Sequence, residues 1–355
     1  MAFSRRDRII HKGLNAINSL LNVSTLKRIS NRRDGTLRVA WARNYNQRLQ
    51  NLGDALSAVM VSALSGQVSK KEPFKSARER LYAVGTIAHN AYGGVVHVWG
   101  SGLDATYNAF DLTQRRYSAP PDTKVHVHAT RGPYSRQAFL DAGISAPEVY
   151  GDPVWVLPSI FPAAKEKKWD LGVIVHVTEL AAHTAEGITK DAFRRYQVPP
   201  EWQDRVKIIS TLVEPNIDAM MKKIEEITAC RRILSTSLHG LVFAESYNIP
   251  CLYFGLKGLN SPLTIDLATA DNNDDLNHRI RDLYAGMGYN EITVLGHDRM
   301  TPTDWAAAIA TIDQYWRPSN FDPGPMLDAF PLPLVFDPRR GEPFQNFDVL
   351  RQIQF

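Results

Sequence analysis

The chain has 355 residues, 44% of them hydrophobic and 22% charged, with a formal net charge of +4. That balance suits a soluble globular protein long enough to build two cores, and no apolar run is long enough to span a bilayer. Residues 1–34 hold eight basic residues against Asp7 and Asp34, so this segment carries +6 and the remainder −2, which excludes a nucleic-acid-binding body.

In residues 1–35, Ile10, Leu14, Ile17 and Leu21 fall at helical spacing with arginines at both ends. The spacing predicts a basic amphipathic extension able to lie on an anionic membrane surface. The segment lacks the uninterrupted apolar stretch of a signal peptide, so the expected location is the cytoplasm, with peripheral contact at the inner face of the membrane. Cys230 and Cys251 sit in apolar contexts without metal-ligand spacing and read as buried free thiols.

From residue 36 the pattern is strand, loop, helix, repeated. Leu37–Ala42 reads as a strand. Asn51-Leu52-Gly53-Asp54 then opens a helix with Leu56, Val59, Ala63 and Leu64 on one face, closed by Gly66. Gly94–Trp99 is a strand running into Gly100-Ser101-Gly102. Lys124–Ala129 is another, ending at Arg131-Gly132-Pro133, before a helix over Tyr134–Ala142 that includes Ser135. Gly151-Asp152-Pro153 follows. Pro158–Trp169 mixes prolines and charge without periodicity and reads as a linker.

The pattern restarts with strands at Leu171–Val177 and Val206–Ser210. A helix over Asn216–Ala229 carries Ile217, Met220, Met221, Ile224 and Ile227 on one face. A strand at Arg232–Ser235, a helix from Leu238 to Tyr247 and a strand at Cys251–Phe254 complete it. After Trp316 the chain is proline-rich and reads as an extended tail. The expected organisation is α/β: an extension (1–35), two Rossmann-like domains (36–165 and 166–315) facing a cleft, and a tail (316–355).

In parallel α/β sheets ligands bind beyond the carboxyl ends of the strands, and the conspicuous polar motifs all sit at such ends: Asn51–Asp54, Gly100–Gly102, Arg131, Asp152 and Ser235–Gly240. At the last of these a helix N-terminus offers unpaired N–H groups to an anion, with Ser237, Leu238 and Gly240 in its first turn, and His239 adds a proton donor. Helix capping by the serines and a merely structural histidine explain the same residues. Glu245 lies six residues after His239 and, at about 100° per residue, points to another side of the helix. There is no Walker A loop, HExxH or GxSxG, and no metal or cofactor is expected.

Taken in order, Asn51-Leu52-Gly53-Asp54, Trp99-Gly100-Ser101-Gly102, Arg131-Gly132-Pro133-Tyr134-Ser135 with Gly151-Asp152-Pro153, and Ser235-Thr236-Ser237-Leu238-His239-Gly240 with Glu245 and Ile249-Pro250 resemble the polysaccharide pyruvyl transferases. The resemblance spans roughly residues 38–260. It implies a GT-B-like fold, phosphoenolpyruvate as co-substrate, and a saccharide acceptor, lipid-linked, that receives a pyruvate ketal with release of phosphate. It also implies His239 as general acid, Arg131 as an anion clamp, and Lys257 as a further cation near the donor. Many members have Asp after the arginine where this chain has Gly132-Pro133. A GT-B glycosyltransferase using a nucleotide sugar, and a non-catalytic envelope-assembly protein, are the competing readings.

Overall fold

A computed structural model describes residues 22–31, 33–42, 48–111, 113, 116–269 and 276–355. The amphipathic stripe from Ile10 to Leu21 lies outside the described residues.

After a helix α1, described over 22–29, the first half contributes β1 (Leu37–Ala40), β2 (Gln50–Asn51), α2 (Leu52–Ser65), β3 (Ser69–Lys71), β4 (Arg80–Tyr82), β5 (Gly94–Trp99), β6 (Thr123–Ala129) and α3 (Pro133–Asp141). Strands β3-β1-β4-β5-β6 form one sheet in that order, every pair parallel. Helix α2 starts where the Asn51 side chain accepts from the Gly53 N–H and stops at Gly66, whose φ of 67° an L side chain rarely adopts. Its 14 residues are apolar nearly all round because it is covered on all sides.

The second half contributes β7 (Leu171–Val175), β8 (Val206–Ser210), β9 (Leu212–Val213), α4 (Ile217–Thr228), β10 (Ile233–Ser235), α5 (Leu238–Ser246), β11 (Cys251–Gly255), β12 (Ser261–Asp266), α6 (His278–Gly286), β13 (Glu291–Gly296) and α7 (Trp305–Tyr315). Its sheet runs β12-β13-β11-β10-β7-β8, parallel except for the antiparallel edge pair β12–β13. Helix α4 buries Ile217, Met220, Ile224 and Ile227, the stripe expected from its 3.6-residue spacing. The fold is thus mixed α/β with two largely parallel sheets.

The halves are joined in three ways. Strands β2 and β9 pair antiparallel across them. A single buried cluster runs from Val39 and Leu56 to Ile224 and Leu241. The segment expected as a free linker begins inside that cluster: Ile160 and Phe161 are buried, and the Tyr247 hydroxyl donates to the Phe161 carbonyl at 2.6 Å. Two large apolar side chains outweigh the local prolines there.

The proline-rich tail carries α8 (Gly324–Asp328) and α9 (Phe347–Arg351) and returns to the first half. Trp99 donates from Nε1 to the Met326 carbonyl at 2.7 Å and packs on Phe330, while Val335 N–H donates to Leu64 O.

Candidate active site

The junction at Ser235–Gly240 is built by hydrogen bonds that precede α5. Ser235 Oγ accepts from Ser237 N–H at 3.0 Å, and Thr236 Oγ1 accepts from His176 N–H at 2.8 Å, tying the ends of β10 and β7 together. Ser237 is the N-cap residue of α5, but its side chain makes no capping bond. Gly240 lies so close to Ser235 that a Cβ there would meet Oγ at 2.3 Å.

His239 projects from the first turn of α5 onto α2 of the other half. A Cβ at Gly53 would lie 2.1 Å from His239 Cγ, so only glycine leaves room for the imidazole. Gly53 is fixed by Asn51, whose Oδ1 accepts its N–H at 3.0 Å and whose Nδ2 donates to Thr211 Oγ1 at 3.2 Å. The Nε2 of His239 is buried with no hydrogen-bond partner among the described residues.

Arg131, beyond the end of β6, is 0% exposed. Its guanidinium lies flat against Gly102, where a Cβ would come within 2.4 Å of Nη2. Nη1 donates to Thr86 Oγ1 at 2.6 Å, Nη2 lies 3.1 Å from Asp282 Oδ2 as an ion pair, and neither Nη2 nor Nε, both buried, has a hydrogen-bond partner among the described residues. Asp282 also accepts from Ser135 N–H at 3.0 Å and from Ser135 Oγ at 2.6 Å. Ser101 Oγ donates to Gly85 O at 2.8 Å, and Gly100, at φ 78°, lies against Gly151 and Pro153. Asp152 accepts from Val154 N–H and keeps Oδ2 buried and unpartnered; burial pushes its carboxyl up to about 6, against the backbone bond and Arg131. These motifs therefore line the seam between the halves.

Four further side chains complete the centre, and only one of them, Asp54, is among the residues expected from sequence. His176 follows β7, Tyr253 lies on β11, and Arg279 lies in the first turn of α6. Asn277 caps α6 and also accepts from Arg279 Nε at 3.1 Å, which orients the guanidinium. Nothing local marks Arg279 as functional, because it stands beside no strand-end motif and meets the others only through tertiary folding.

The charges explain one another. His239 is pushed down to about 3, first by burial and then by Arg279, Arg131 and His176. His176 is lowered by burial and by Arg279. Arg279 is itself lowered by burial and by Arg131, with Asp54 and Tyr253 acting the other way. Asp54 is raised to about 6 by burial, although Arg279 and Lys71 favour its charged form. Burial thus keeps both imidazoles neutral and raises the Asp54 carboxyl, while Arg131 disfavours the charge on Arg279, a repulsion that an arriving anion would relieve. Beside it a 240 Å³ cavity is lined by polar side chains that include Asp104, Gln137, Asp141 and His278.

One expected residue, Glu245, lies elsewhere. Glu245 accepts from Tyr284 Oη at 2.9 Å and from Cys251 Sγ at 3.4 Å, in a pocket with Tyr289 and Trp316 near the start of β11. Burial raises its carboxyl to about 7. Lys257 is exposed in the turn between β11 and β12. No group of side chains among the described residues is suited to hold a metal ion, and no described helix is long and apolar enough to cross a membrane.

Parallel strands ending at a seam that gathers Arg131 and a histidine at a helix N-terminus define an α/β protein with a candidate site at its strand ends. The family model for polysaccharide pyruvyl transferase matches residues 51–258, more than half of the chain, and the chain belongs to that family. It is also 27% identical over 180 residues to an uncharacterized protein of Acanthamoeba polyphaga mimivirus, covering 49% of this chain and 53% of that protein, so the match spans about half the length of that relative. No solved structure matches.

Proposed function

We propose that the chain transfers pyruvate from phosphoenolpyruvate to two hydroxyls of one sugar, in an exopolysaccharide repeat unit or its lipid-linked precursor, forming a cyclic ketal and releasing phosphate. The observation that carries this reading is the centre where Arg131 and Arg279 act on the imidazole of His239, with His176 and the Asp54 carboxyl beside them. Phosphoenolpyruvate carries a phosphate and a carboxylate on one carbon, C2, a concentration of negative charge that would relieve the repulsion between the two arginines. Its arrival reverses the field at His239 and raises the imidazole pKa, so that the histidine gains a proton when the donor binds.

Protonated His239 then delivers that proton to C3 of the enol, making C2 electrophilic. One sugar hydroxyl adds to C2, the phosphate leaves, and the second hydroxyl closes the ring. Of the two hydroxyl protons, one balances the proton gained by C3 and the other leaves with phosphate. Asp54, raised to about 6, is placed to accept a hydroxyl proton. In this reading the two halves act as Rossmann-like domains in a GT-B-like arrangement. Residues 1–35 hold the enzyme at the anionic membrane surface where a lipid-linked acceptor resides.

Phosphoenolpyruvate at a hundredfold excess over its Kd is expected to stabilise the fold by about 2.7 kcal/mol, read as a rise in Tm, while UDP, GDP and CMP sugars leave Tm unchanged. A shift with a nucleotide sugar and none with phosphoenolpyruvate overturns the reading in favour of glycosyl transfer. For the extension, deleting residues 1–21 is expected to weaken flotation with anionic vesicles; equal flotation of both chains removes the membrane contact.

A further inference from the structure

Within the donor reading above, on which this inference rests, the two arginines do not have the same task. Arg131 is 0% exposed, so a water-sized probe does not reach its guanidinium, and a phosphate or carboxylate oxygen is larger than that probe. One face is against Gly102, Nη1 donates to Thr86, and Nη2 is in ion-pair contact with Asp282; Nη2 and Nε make no hydrogen bond among the described residues but are sealed from solvent. Arg279 differs in each respect. It is partly exposed. Its Nε is held by Asn277, and among the described residues its terminal nitrogens have no hydrogen-bond partner. Its charge acts on His239, His176 and Asp54.

The two arginines are mechanically linked. Asp282 lies on α6, three residues after Arg279, so it sits about one turn along the same helix. The Arg131–Asp282 ion pair fastens α6 to the end of β6, and the two bonds from Ser135 to Asp282 fasten it to the start of α3. The backbones touch as well: a Cβ at Gly286 would meet the Arg131 carbonyl at 2.2 Å. Arg131, together with Ser135, therefore places the element that presents Arg279.

We propose that Arg279 is the arginine that contacts the anionic donor, and that Arg131 is a positioning residue that acts on donor binding through Asp282 and α6. Arg279 supplies charge-assisted hydrogen bonds to the phosphate or carboxylate, and Arg131 supplies the geometry and a background positive field.

The test uses the full chain and the variants Arg279→Gln, Arg279→Lys, Arg131→Lys and Asp282→Asn. Each is assayed for unliganded Tm, for binding of phosphoenolpyruvate and of inorganic phosphate by calorimetry, and for KM and kcat. Arg279→Gln is expected to keep the wild-type unliganded Tm and to raise the donor KM about ten- to hundredfold, the range for a lost hydrogen bond to a charged group. Arg279→Lys is expected to recover part of that loss. Asp282→Asn is expected to raise the donor KM in the same direction and to lower the unliganded Tm. Arg131→Lys combined with Asp282→Asn is expected to be no worse in KM than the more affected single variant, because both act through one contact. Normal anion binding by Arg279→Gln, with binding lost in a folded Arg131→Lys, overturns the assignment. If wild type binds inorganic phosphate but not phosphoenolpyruvate, the donor reading fails, and the phosphate affinities of the same variants still decide which arginine is the contact.

Discussion

Arg195 with Arg299 and Arg131 with Arg279 are two arginine pairs whose surroundings are opposite. Arg195 and Arg299 share Glu179: Arg195 Nη2 lies 3.0 Å from Oε2, Arg299 Nε lies 2.8 Å from Oε1, and the Tyr196 hydroxyl also bonds to Glu179. Arg195 Nη1 further donates to the carbonyls of Gly255 and His297, and its guanidinium stacks on Phe254. Burial alone would raise the Glu179 carboxyl, but Arg195, Tyr196 and Arg299 outweigh it and hold the group below the usual carboxylate range. At Arg131 and Arg279 the balance fails. Asp282 is committed to Arg131, Arg279 has no matching ion pair among the described residues, and the nearby imidazoles are driven towards neutrality. A buried ionic cluster that satisfies itself holds the fold. One whose arginines are not fully matched by ion pairs is a candidate for binding an anion.

The largest effect is expected where the satisfied cluster is broken. Glu179→Gln leaves Arg195 buried without its counter-charge and should cost about 3–5 kcal/mol of stability in urea denaturation at pH 7. The sign follows from the depressed carboxyl. The stability it provides is present above about pH 4.5 and is lost as pH falls through the folded-state pKa, so the gap between wild type and variant should close in acid. A gap that is equally large at pH 7 and in acid assigns the effect to packing instead.

Next in size, His239→Ala should lower turnover about 10²-fold or more with no loss of unliganded Tm, since the ring has no hydrogen bond from Nε2 to lose. Near-normal turnover in a folded variant removes His239 from the chemistry.

The smallest effect carries the opposite sign to the Glu179 substitution and sharpens the contrast. Asp54 is raised from 3.8 to about 6, so the fold prefers its protonated form, and that stability is present at low pH and lost as pH rises through about 6. Asp54→Asn mimics the protonated state. The variant should therefore be slightly more stable than wild type at pH 7.5, with the difference vanishing below about pH 4, while turnover falls. A variant less stable than wild type at pH 7.5 shows that the carboxylate is a structural partner.

Much of the frame was legible in residues 36–260. Short apolar runs and helical stripes mark β5, β6, β7, β8, α2 and α4, and the polar motifs at strand ends mark one side of the sheets. Strand β4 escaped because its first residue, Arg80, is charged and yet 0% exposed; its guanidinium is surrounded by the carbonyls of Ser76, Gly93 and Tyr92, among others. No alternation of polar and apolar residues survives such an exchange. Elements β12, β13 and α6 carry no glycine-rich or strand-end motif, so they drew no functional reading.

What the sequence by itself determined is local. The 3.6-residue stripe of α4, the Asn51 cap and Gly66 stop of α2, and the absence of a side chain at Gly53 and Gly240 are properties of short stretches, set by backbone sterics and apolar spacing. What only the tertiary structure decided is which charges meet. Arg131 and Asp282 are far apart in sequence and 3.1 Å apart in space, Glu245 turned to Tyr284 and Cys251, and Arg279 came to face His239 and Asp54. The physical reason is that a charged residue's pKa and partners depend on burial and on neighbours brought from elsewhere in the chain, and no local pattern encodes either.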